Sequence, residues 1–185
     1  PAVQTVAPNL TQVVVPRSMA HHVKGEELST EANVPVTDVV AGSHIELTPA
    51  YLDAVREAAD GASALILAEP YLLPAVEQLE LDIPVIYDAY NVEAQLKAGV
   101  FPDSPVGAEL LAQVVDVERR AVRRSARTTT CSDADAVALA AGAGVGPDHF
   151  AVIPNGTTIP ATVISPEDRA ERSARWRHRY WTAGS

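Results

Sequence analysis

Polar side chains that could bind a ligand cluster where short apolar runs of this sequence end. In an open α/β sheet, ligands bind outside the carboxyl ends of the strands, so polar groups there are candidates for a binding site. Carboxylates, amides and hydroxyls suit a ligand with several polar groups, because each unpaired polar group in a closed site costs about 1–3 kcal/mol. The runs and the polar residues after them are 83–87 with Asp88, Tyr90, Asn91 and Glu93, 126–131 with Ser132, and 150–153 with Asn155 and Gly156.

The elements that must position these groups are predicted to be strands alternating with helices. The apolar runs 64–67, 83–87, 126–131 and 150–153 predict buried strands, and segments with helical periodicity separate them. That alternation is typical of parallel βαβ units with right-handed crossovers. The sequence therefore predicts an α/β fold, a parallel Rossmann-like sheet flanked by helices.

Helix starts are marked by hydroxyl residues in capping positions. Thr48-Pro49 and Ser104-Pro105 each place a hydroxyl before a proline at the first helical position, and Ser132 marks a third start. The region ahead of these signals is less regular. The expectations there are a strand at 13–15, a loop with a short helix at 17–35 and a strand at 37–41.

The last part of the chain is predicted to lie outside the sheet domain. The periodicity stops after Gly156 and resumes at Ser165-Pro166-Glu167-Asp168, a complete helix-start pattern. The helix is expected to run to about residue 182, with Trp176 and Tyr180 on one face. The predicted division is a sheet domain at 1–156 and a linker with a helix at 157–185.

Composition and charge narrow the classes of partner. The 185 residues carry a formal net charge of −10, which argues against a nucleic-acid partner. The single cysteine, Cys131, favours a reducing compartment and hence a cytoplasmic location. His21, His22 and His44 have no metal-ligand spacing with nearby carboxylates, so neither a metal site nor a cofactor is predicted.

A row of arginines stands out against the acidic background. Their spacing places most of them on one side of a helix, beside Asp116 and Glu118. A solvated, ion-paired helix face is the first interpretation. A patch that contacts an anionic acceptor or the membrane surface is the alternative. The arginines are Arg119, Arg120, Arg123, Arg124 and Arg127.

Taken together and in order, three of these segments resemble a known family. Asp88-x-x-Asn91-Val92-Glu93, Ser132-x-x-Asp135 and Pro154-Asn155-Gly156 are similar to motifs in the N-terminal half of retaining glycosyltransferases of the GT-B fold, group 1 or family four. The resemblance covers about 13–156. It implies one half of a GT-B architecture, with sugar transfer from a nucleotide-sugar donor to a sugar or lipid-linked acceptor.

The resemblance also implies site residues, with two departures. Relatives often have a histidine after the strand at 64–67, where this chain has Ala68-Glu69-Pro70-Tyr71, and many have a histidine where Tyr90 stands. Glu69 or Tyr90 is therefore expected to take those places. The polar heads of the site are expected to be accessible, above buried Val85, Ile86, Val152 and Ile153. The implied substrate-binding residues are Glu69, Tyr71, Asp88, Tyr90, Asn91, Glu93, Ser132, Asn155 and Gly156.

The family also has parts that this sequence does not show. Relatives begin with a strand, a glycine-rich loop and a helix, and they bind the donor diphosphate through a second domain that would follow residue 185. The chain is therefore expected to be a fragment, inactive by itself. Two other functions fit the same fold: a non-catalytic ligand-binding or docking module, and a sugar-nucleotide epimerase.

Overall fold

The computed structural model describes residues 1–156, 165–171 and 173. The chain divides into two compact units, Pro1–Pro154 and Asn155–Ser185. The first unit opens with an antiparallel hairpin of β1 (Ala2–Ala7) and β2 (Leu10–Val14), whose residues are all exposed. The strand expected at 13–15 is thus the second strand of a separate hairpin and is not paired with the main sheet.

Four further strands form a parallel sheet in the order in which they occur along the chain. They are β3 (Leu65–Leu67), β4 (Val85–Ala89), β5 (Arg127–Thr130) and β6 (Phe150–Val152). Each lies within two residues of a predicted strand, and their carboxyl ends share one edge of the sheet. The predicted fold class, a parallel Rossmann-like sheet flanked by helices, is confirmed.

Seven helices accompany the strands in the described part of the first unit. The longest, α6, supplies a continuous apolar stripe to the core, with Leu110, Val114, Val117 and Ala121 all buried. The helices are α1 (Met19–Ala32), α2 (Thr37–Ser43), α3 (Pro49–Ala59), α4 (Leu73–Gln78), α5 (Glu93–Ala98), α6 (Pro105–Arg124) and α7 (Asp133–Ala143). Single 3-10 turns lie at Ile45–Leu47, Pro70–Leu72 and Pro147–His149.

Within the first unit the helices cover only one face of the parallel sheet. Because the strands follow one another in a single direction, right-handed crossovers place every connecting helix on the same side. On that side Val85, Tyr87 and Thr128 are at most 1% exposed. On the other side Ile66 is 66% exposed and Arg127 is exposed. Parallel sheets normally have both faces covered, so this unit has the arrangement of a Rossmann-like half-domain.

The same asymmetry corrects part of the predicted core. Val85 is buried and Ile86 half-buried, but Val152 and Ile153 are 37% and 61% exposed. The expectation that these last two residues are buried is wrong, because β6 is an edge strand. Ile153 also continues the side of the strand that no described element of the first unit covers.

The strand expected at 37–41 is wrong, because that segment is helix α2. Val36, Val39 and Val40 are all nearly inaccessible, at 0%, 2% and 1% exposure. Their spacing of three and four residues is that of one helix face, whereas alternate residues would face a core from a strand. The β-branched composition suggested a strand, but the burial pattern follows the helical period.

The segment 17–35, expected to be a loop with a short helix, is mostly the 14-residue helix α1, which is longer than expected. Its start has a clear cap, in which the Ser18 hydroxyl accepts the His21 amide at 3.1 Å. Its buried face consists of His21, Gly25 and Ala32, which supply little hydrophobic periodicity. That composition explains why the apolar pattern alone did not reveal the full length of the helix.

The capping predictions had mixed outcomes. Ser104 and Ser132 cap α6 and α7 as predicted, accepting the amides of Gly107 and Asp135. Thr48 precedes α3 but its side chain makes no cap hydrogen bond. In the second unit, Ser165 accepts the Asp168 amide at 3.0 Å and opens the expected helix. Trp176 and Tyr180 lie outside the described residues.

Candidate functional site

Two of the predicted site residues, Tyr71 and Glu93, form a buried network with Glu118 of α6. The Tyr71 hydroxyl donates to Glu93 Oε2 at 2.8 Å. Glu118 accepts the backbone amide of Glu93 at 2.6 Å and that of Ala94 at 3.2 Å. All three side chains in this network are at most 6% exposed. Because the first amides of a helix lack intrahelical acceptors, Glu118 completes the start of α5 and ties it to α6.

Burial raises the pKa values of two groups in this network. Burial raises the pKa of the Glu118 carboxyl, the two backbone hydrogen bonds lower it, and the nearby Glu93 raises it again, with a net upward direction. Burial and the hydrogen bond to Glu93 also raise the pKa of Tyr71. The expectation that the polar heads of Tyr71 and Glu93 face solvent is therefore wrong. The reason is that α5 begins directly at Glu93 and packs on α6.

Glu69, which follows β3, has a different environment. It is exposed and lines a cleft of about 300 Å³, here called the Glu69 cleft. Arg17 and Tyr51 line the same cleft, and Ala41, Ile45 and Leu72 give it apolar wall. Among the described residues, the side chains of Glu69, Arg17 and Tyr51 have no hydrogen-bond or ion-pair partner. These three polar groups are therefore available to a ligand.

The wall of the Glu69 cleft is held by a histidine that connects three helices. His21 is buried, its Nε2 lies 3.1 Å from the Val40 carbonyl, and its Nδ1 lies 2.8 Å from Thr48 Oγ1. The carbonyl can only accept, so Nε2 donates the hydrogen. Thr48 Oγ1 also accepts the Ser18 amide at 3.2 Å, which explains why it does not cap α3. His21 and Thr48 thus position α1, α2 and α3 around the cleft.

A glycine lets α2 approach the turn after β3. A Cβ atom at Gly42 would lie 2.5 Å from the Tyr71 carbonyl oxygen and 3.0 Å from its Cα. Both distances are shorter than ordinary contacts, and the atoms belong to backbone that cannot rotate away. The close packing of α2 on the Pro70–Leu72 turn therefore requires glycine at this position.

Charged groups around the Glu69 cleft are mostly acidic. Asp38 also lines it and forms an ion pair with Lys97 of α5. Burial raises the pKa of the Glu69 carboxyl above its ordinary value, Glu93 and Asp38 raise it further, and Lys97 lowers it. An ionised Glu69 is therefore repelled by its neighbours more than it is attracted.

A second, larger cleft of about 420 Å³ lies among α2, α4 and α6. Of its charged groups, Arg120 and Asp116 already pair with protein groups, whereas Glu46 is exposed. Arg120 Nε donates to Asp116 at 2.8 Å, and Arg120 also pairs with Glu77. This cleft does not include the residues that directly follow a strand end, apart from Tyr71. The Glu69 cleft is the better candidate for a ligand site.

The other predicted residues of the first unit do not line the Glu69 cleft. Asp88 accepts a hydrogen bond from Thr129 on the sheet face without helices. Tyr90 is 55% exposed and Asn91 is half-buried. Ser132 accepts the Asp135 amide at 3.2 Å and donates to its carboxylate at 2.6 Å, so it is used as a cap. Asn155 and Gly156 follow β6 in the sequence and belong to the second unit.

Most of the arginine row contacts the protein itself. Arg119 and Arg120 pair with Asp116. Arg123 donates to the Ala143 carbonyl at 2.7 Å and Arg124 to the Leu81 carbonyl at 2.8 Å. The pairs of Arg119 and Arg120 are those of the predicted ion-paired helix face, whereas Arg123 and Arg124 bond to carbonyl groups instead. Contact of this face with an anionic acceptor or a membrane stays a prediction.

Several residues of the two sites were not found from the sequence. Glu118 lies 25 positions from Glu93, and no local pattern connects them. Asp38 was missed because its segment, helix α2, was predicted to be a strand. Tyr51 was missed because it was not considered as a ligand group. Arg17 lies directly before the cap residue Ser18, and recognising that cap would have placed it at a helix start beside the cleft.

Within the described ranges the chain has neither a metal-binding cluster nor a membrane-spanning helix. Across residues 1–156, 165–171 and 173, no group of three or more histidine, cysteine or acidic side chains is placed to hold a metal ion. In the same ranges no helix combines the length and the apolar composition needed to cross a bilayer.

The fold and site define the class of the first unit as a Rossmann-like half-domain with a polar cleft after its first parallel strand. Comparisons of the chain with protein-family models, with curated proteins and with solved structures gave no match.

Proposed function

We propose that this chain is part of a nucleotide-sugar-dependent retaining glycosyltransferase and that it supplies the acceptor side of the enzyme. The observation that carries the proposal is the Glu69 cleft at the carboxyl end of β3, where open α/β sheets bind ligands. Its mixture of unpartnered polar groups and apolar wall is the composition expected of a small-molecule site. A sugar has both hydroxyl groups and an apolar ring face to match it.

The half-domain arrangement also supports the proposal. In the described first unit the sheet has helices on one face, as one half of a doubly wound domain would have. In a GT-B enzyme the donor diphosphate is bound by cationic groups of a second domain, which stabilise the charge of the leaving group. We therefore assign acceptor binding to this chain and donor binding to that second domain.

Binding and turnover by the purified chain test this assignment. Saturation-transfer NMR with the methyl glycosides of glucose, glucosamine, galactose and N-acetylglucosamine should show binding of at least one sugar. Nucleoside diphosphates should bind more weakly, and no sugar should be transferred from a nucleotide sugar. Glu69→Gln should weaken sugar binding, whereas Glu57→Gln, an exposed acid of α3, serves as the matched control. Sugar transfer by this chain alone, or nucleotide binding tighter than sugar binding, would contradict the assignment.

A non-catalytic binding module is the second candidate, and one observation favours it. Two residues that the family resemblance assigns to substrate already use their side chains within the fold: Glu93 accepts the Tyr71 hydroxyl, and Ser132 caps α7. The coding sequence on both sides of this chain distinguishes the two functions. A glycine-rich loop upstream, with a glutamate pair and basic cluster downstream, would support the transferase, and their absence would support the module.

A further inference from the structure

We propose that the Glu69 cleft selects a sugar that carries a protonated amino group and that Glu69 binds this group. The inference rests on the proposed function, because it specifies the chemical class of the acceptor. It starts from geometry. Glu69 lines a cleft of about 300 Å³, its carboxylate has no partner among the described residues, and Tyr51 and Leu72 lie in the same wall.

The charges in and behind the cleft favour a cation as the missing partner. Glu69 and Asp38 line it, and Tyr71, which also lines it, donates its hydroxyl to the buried Glu93. Of the two cations in this region, Lys97 is already paired with Asp38. The other, Arg17, is exposed and has no ion-pair partner among the described residues. The region therefore has an excess of carboxylates over cations.

A neutral sugar would supply Glu69 with hydrogen-bond donors but not with a positive charge. Hydroxyl groups can donate hydrogen bonds to its carboxylate, but they cannot offset repulsion by Asp38 and Glu93. A protonated amine does both, because a charge-assisted hydrogen bond adds Coulomb attraction to the donated hydrogen. The predicted selectivity comes from this difference.

The rest of the cleft fits a sugar ring that bears such an amine. Its volume is at the small end of the range of about 300–1,000 Å³ for ligand sites, which suits one or two sugar rings. The Tyr51 hydroxyl can bind a ring hydroxyl, and Ile45 and Leu72 can pack against the apolar ring face. The amine and the ring would thus contact different parts of the wall.

Isothermal titration with three matched methyl glycosides tests the inference directly. Methyl glucosaminide carries the free amine, methyl N-acetylglucosaminide has the amine capped, and methyl glucoside has none. At about pH 6.5 a sugar amine is mostly protonated and a carboxyl mostly ionised. The glucosaminide should bind at least about tenfold more tightly than the other two, which corresponds to about 1.4 kcal/mol. The preference should decrease at about pH 9, where the amine loses its proton.

Two substitutions should move that preference in opposite directions. Glu69→Gln should abolish it while the chain stays folded by circular dichroism, because the side chain is exposed and unpartnered. Arg17→Gln should strengthen glucosaminide binding about two- to threefold, because it removes a repelling cation. Glu57→Gln should leave all three affinities unchanged.

The outcomes separate this inference from the proposed function. Equal binding of the three sugars would overturn the amine selectivity and leave an acceptor site for neutral sugars. Binding of cyclohexylammonium without binding of any sugar would keep the amine site and overturn the glycosyltransferase proposal. Loss of binding in Arg17→Gln, together with binding of inorganic phosphate, would overturn the inference in favour of an anion site.

Discussion

Glu69 and Glu93 follow neighbouring parallel strands, yet the structure gives them opposite environments. Glu93 is 6% exposed and accepts the Tyr71 hydroxyl, in a network whose polar groups are satisfied by the protein. Glu69 is exposed, has no partner among the described residues and lines a cleft. A position at a strand end is therefore insufficient to identify a ligand group, because its partners within the fold must be counted as well.

The largest expected effect is a loss of stability when the buried network of Glu93 is disrupted. Glu118→Ala would leave the Glu93 and Ala94 amides without their acceptor in a buried region. Each unsatisfied buried donor costs about 1–3 kcal/mol, so we expect a loss of about 3 kcal/mol in the free energy of unfolding. Urea denaturation measures it, with the exposed Glu109→Ala on the same helix as control. A loss below about 0.5 kcal/mol would show that the network does not hold α5.

Removing one tyrosine hydroxyl from each region gives a second comparison between the buried network and the Glu69 cleft. Tyr71→Phe removes the hydrogen bond to buried Glu93 and should cost about 1–2 kcal/mol of unfolding free energy. Tyr51→Phe removes a hydroxyl that has no partner among the described residues, so its cost should be below about 0.5 kcal/mol. Thermal and urea unfolding of both variants give the comparison. Equal losses would mean that the Tyr51 hydroxyl is also structural.

These expectations change what Glu93 should do in the proposed glycosyltransferase. The family resemblance alone predicts that Glu93→Ala reduces turnover with little change in melting temperature. Its burial and its bond to Tyr71 now predict a clear loss of stability. A drop in activity of this variant would consequently require a folding control before it could be assigned to substrate binding.

Ser132 should have a smaller effect, equal to that of a cap. Ser132→Ala removes the acceptor for the Asp135 amide and should cost about 1 kcal/mol, as Ser104→Ala should at the start of α6. Chemical denaturation of both variants measures the two costs. Unchanged sugar affinity is expected for Ser132→Ala, and a large loss of affinity would return it to the candidate ligand groups.

The smallest expected effect is a dependence of stability on pH. The folded pKa of Glu118 lies above its ordinary value of 4.5 because of burial. Its protonated form therefore adds stability that is fully present below about pH 4.5 and is lost as the pH rises through the folded pKa. The unfolding free energy should decrease as the pH rises from about 4.5 through the folded pKa, and Glu118→Gln should flatten this slope. An unchanged slope in that variant would assign the dependence to other groups.

The sequence predicted the parallel sheet well because the information was local. The runs around Leu67, Val85, Thr128 and Phe150 are short, apolar or β-branched, and bounded by turn signals, which suffices to locate strands. The prediction for the segment of helix α2 was wrong because the decisive information was not local. Val36, Val39 and Val40 are locally typical of a strand, and only their packing against other elements shows that the period is helical.

The site was less predictable than the fold because it depends on contacts between distant residues. Glu69 was included as a candidate. The different environment of Glu93 was not predictable, because it involves Glu118 of another helix, which accepts the Glu93 amide. Arg17 and Tyr51 join the Glu69 cleft only through the packing of α1, α2 and α3, which His21 fixes. Sequence periodicity does not predict those contacts, because they join separate helices.

Chemical-shift mapping tests most directly whether the Glu69 cleft, and not the other strand ends, is the ligand site. The amide spectrum of the isotope-labelled chain would be recorded during titration with methyl glucosaminide. We expect the largest shifts at Arg17, Ala41, Tyr51, Glu69 and Leu72, which line the cleft. Shifts centred on Tyr90, Asn91 and Ser132, with the amide of Glu69 unchanged, would contradict the account.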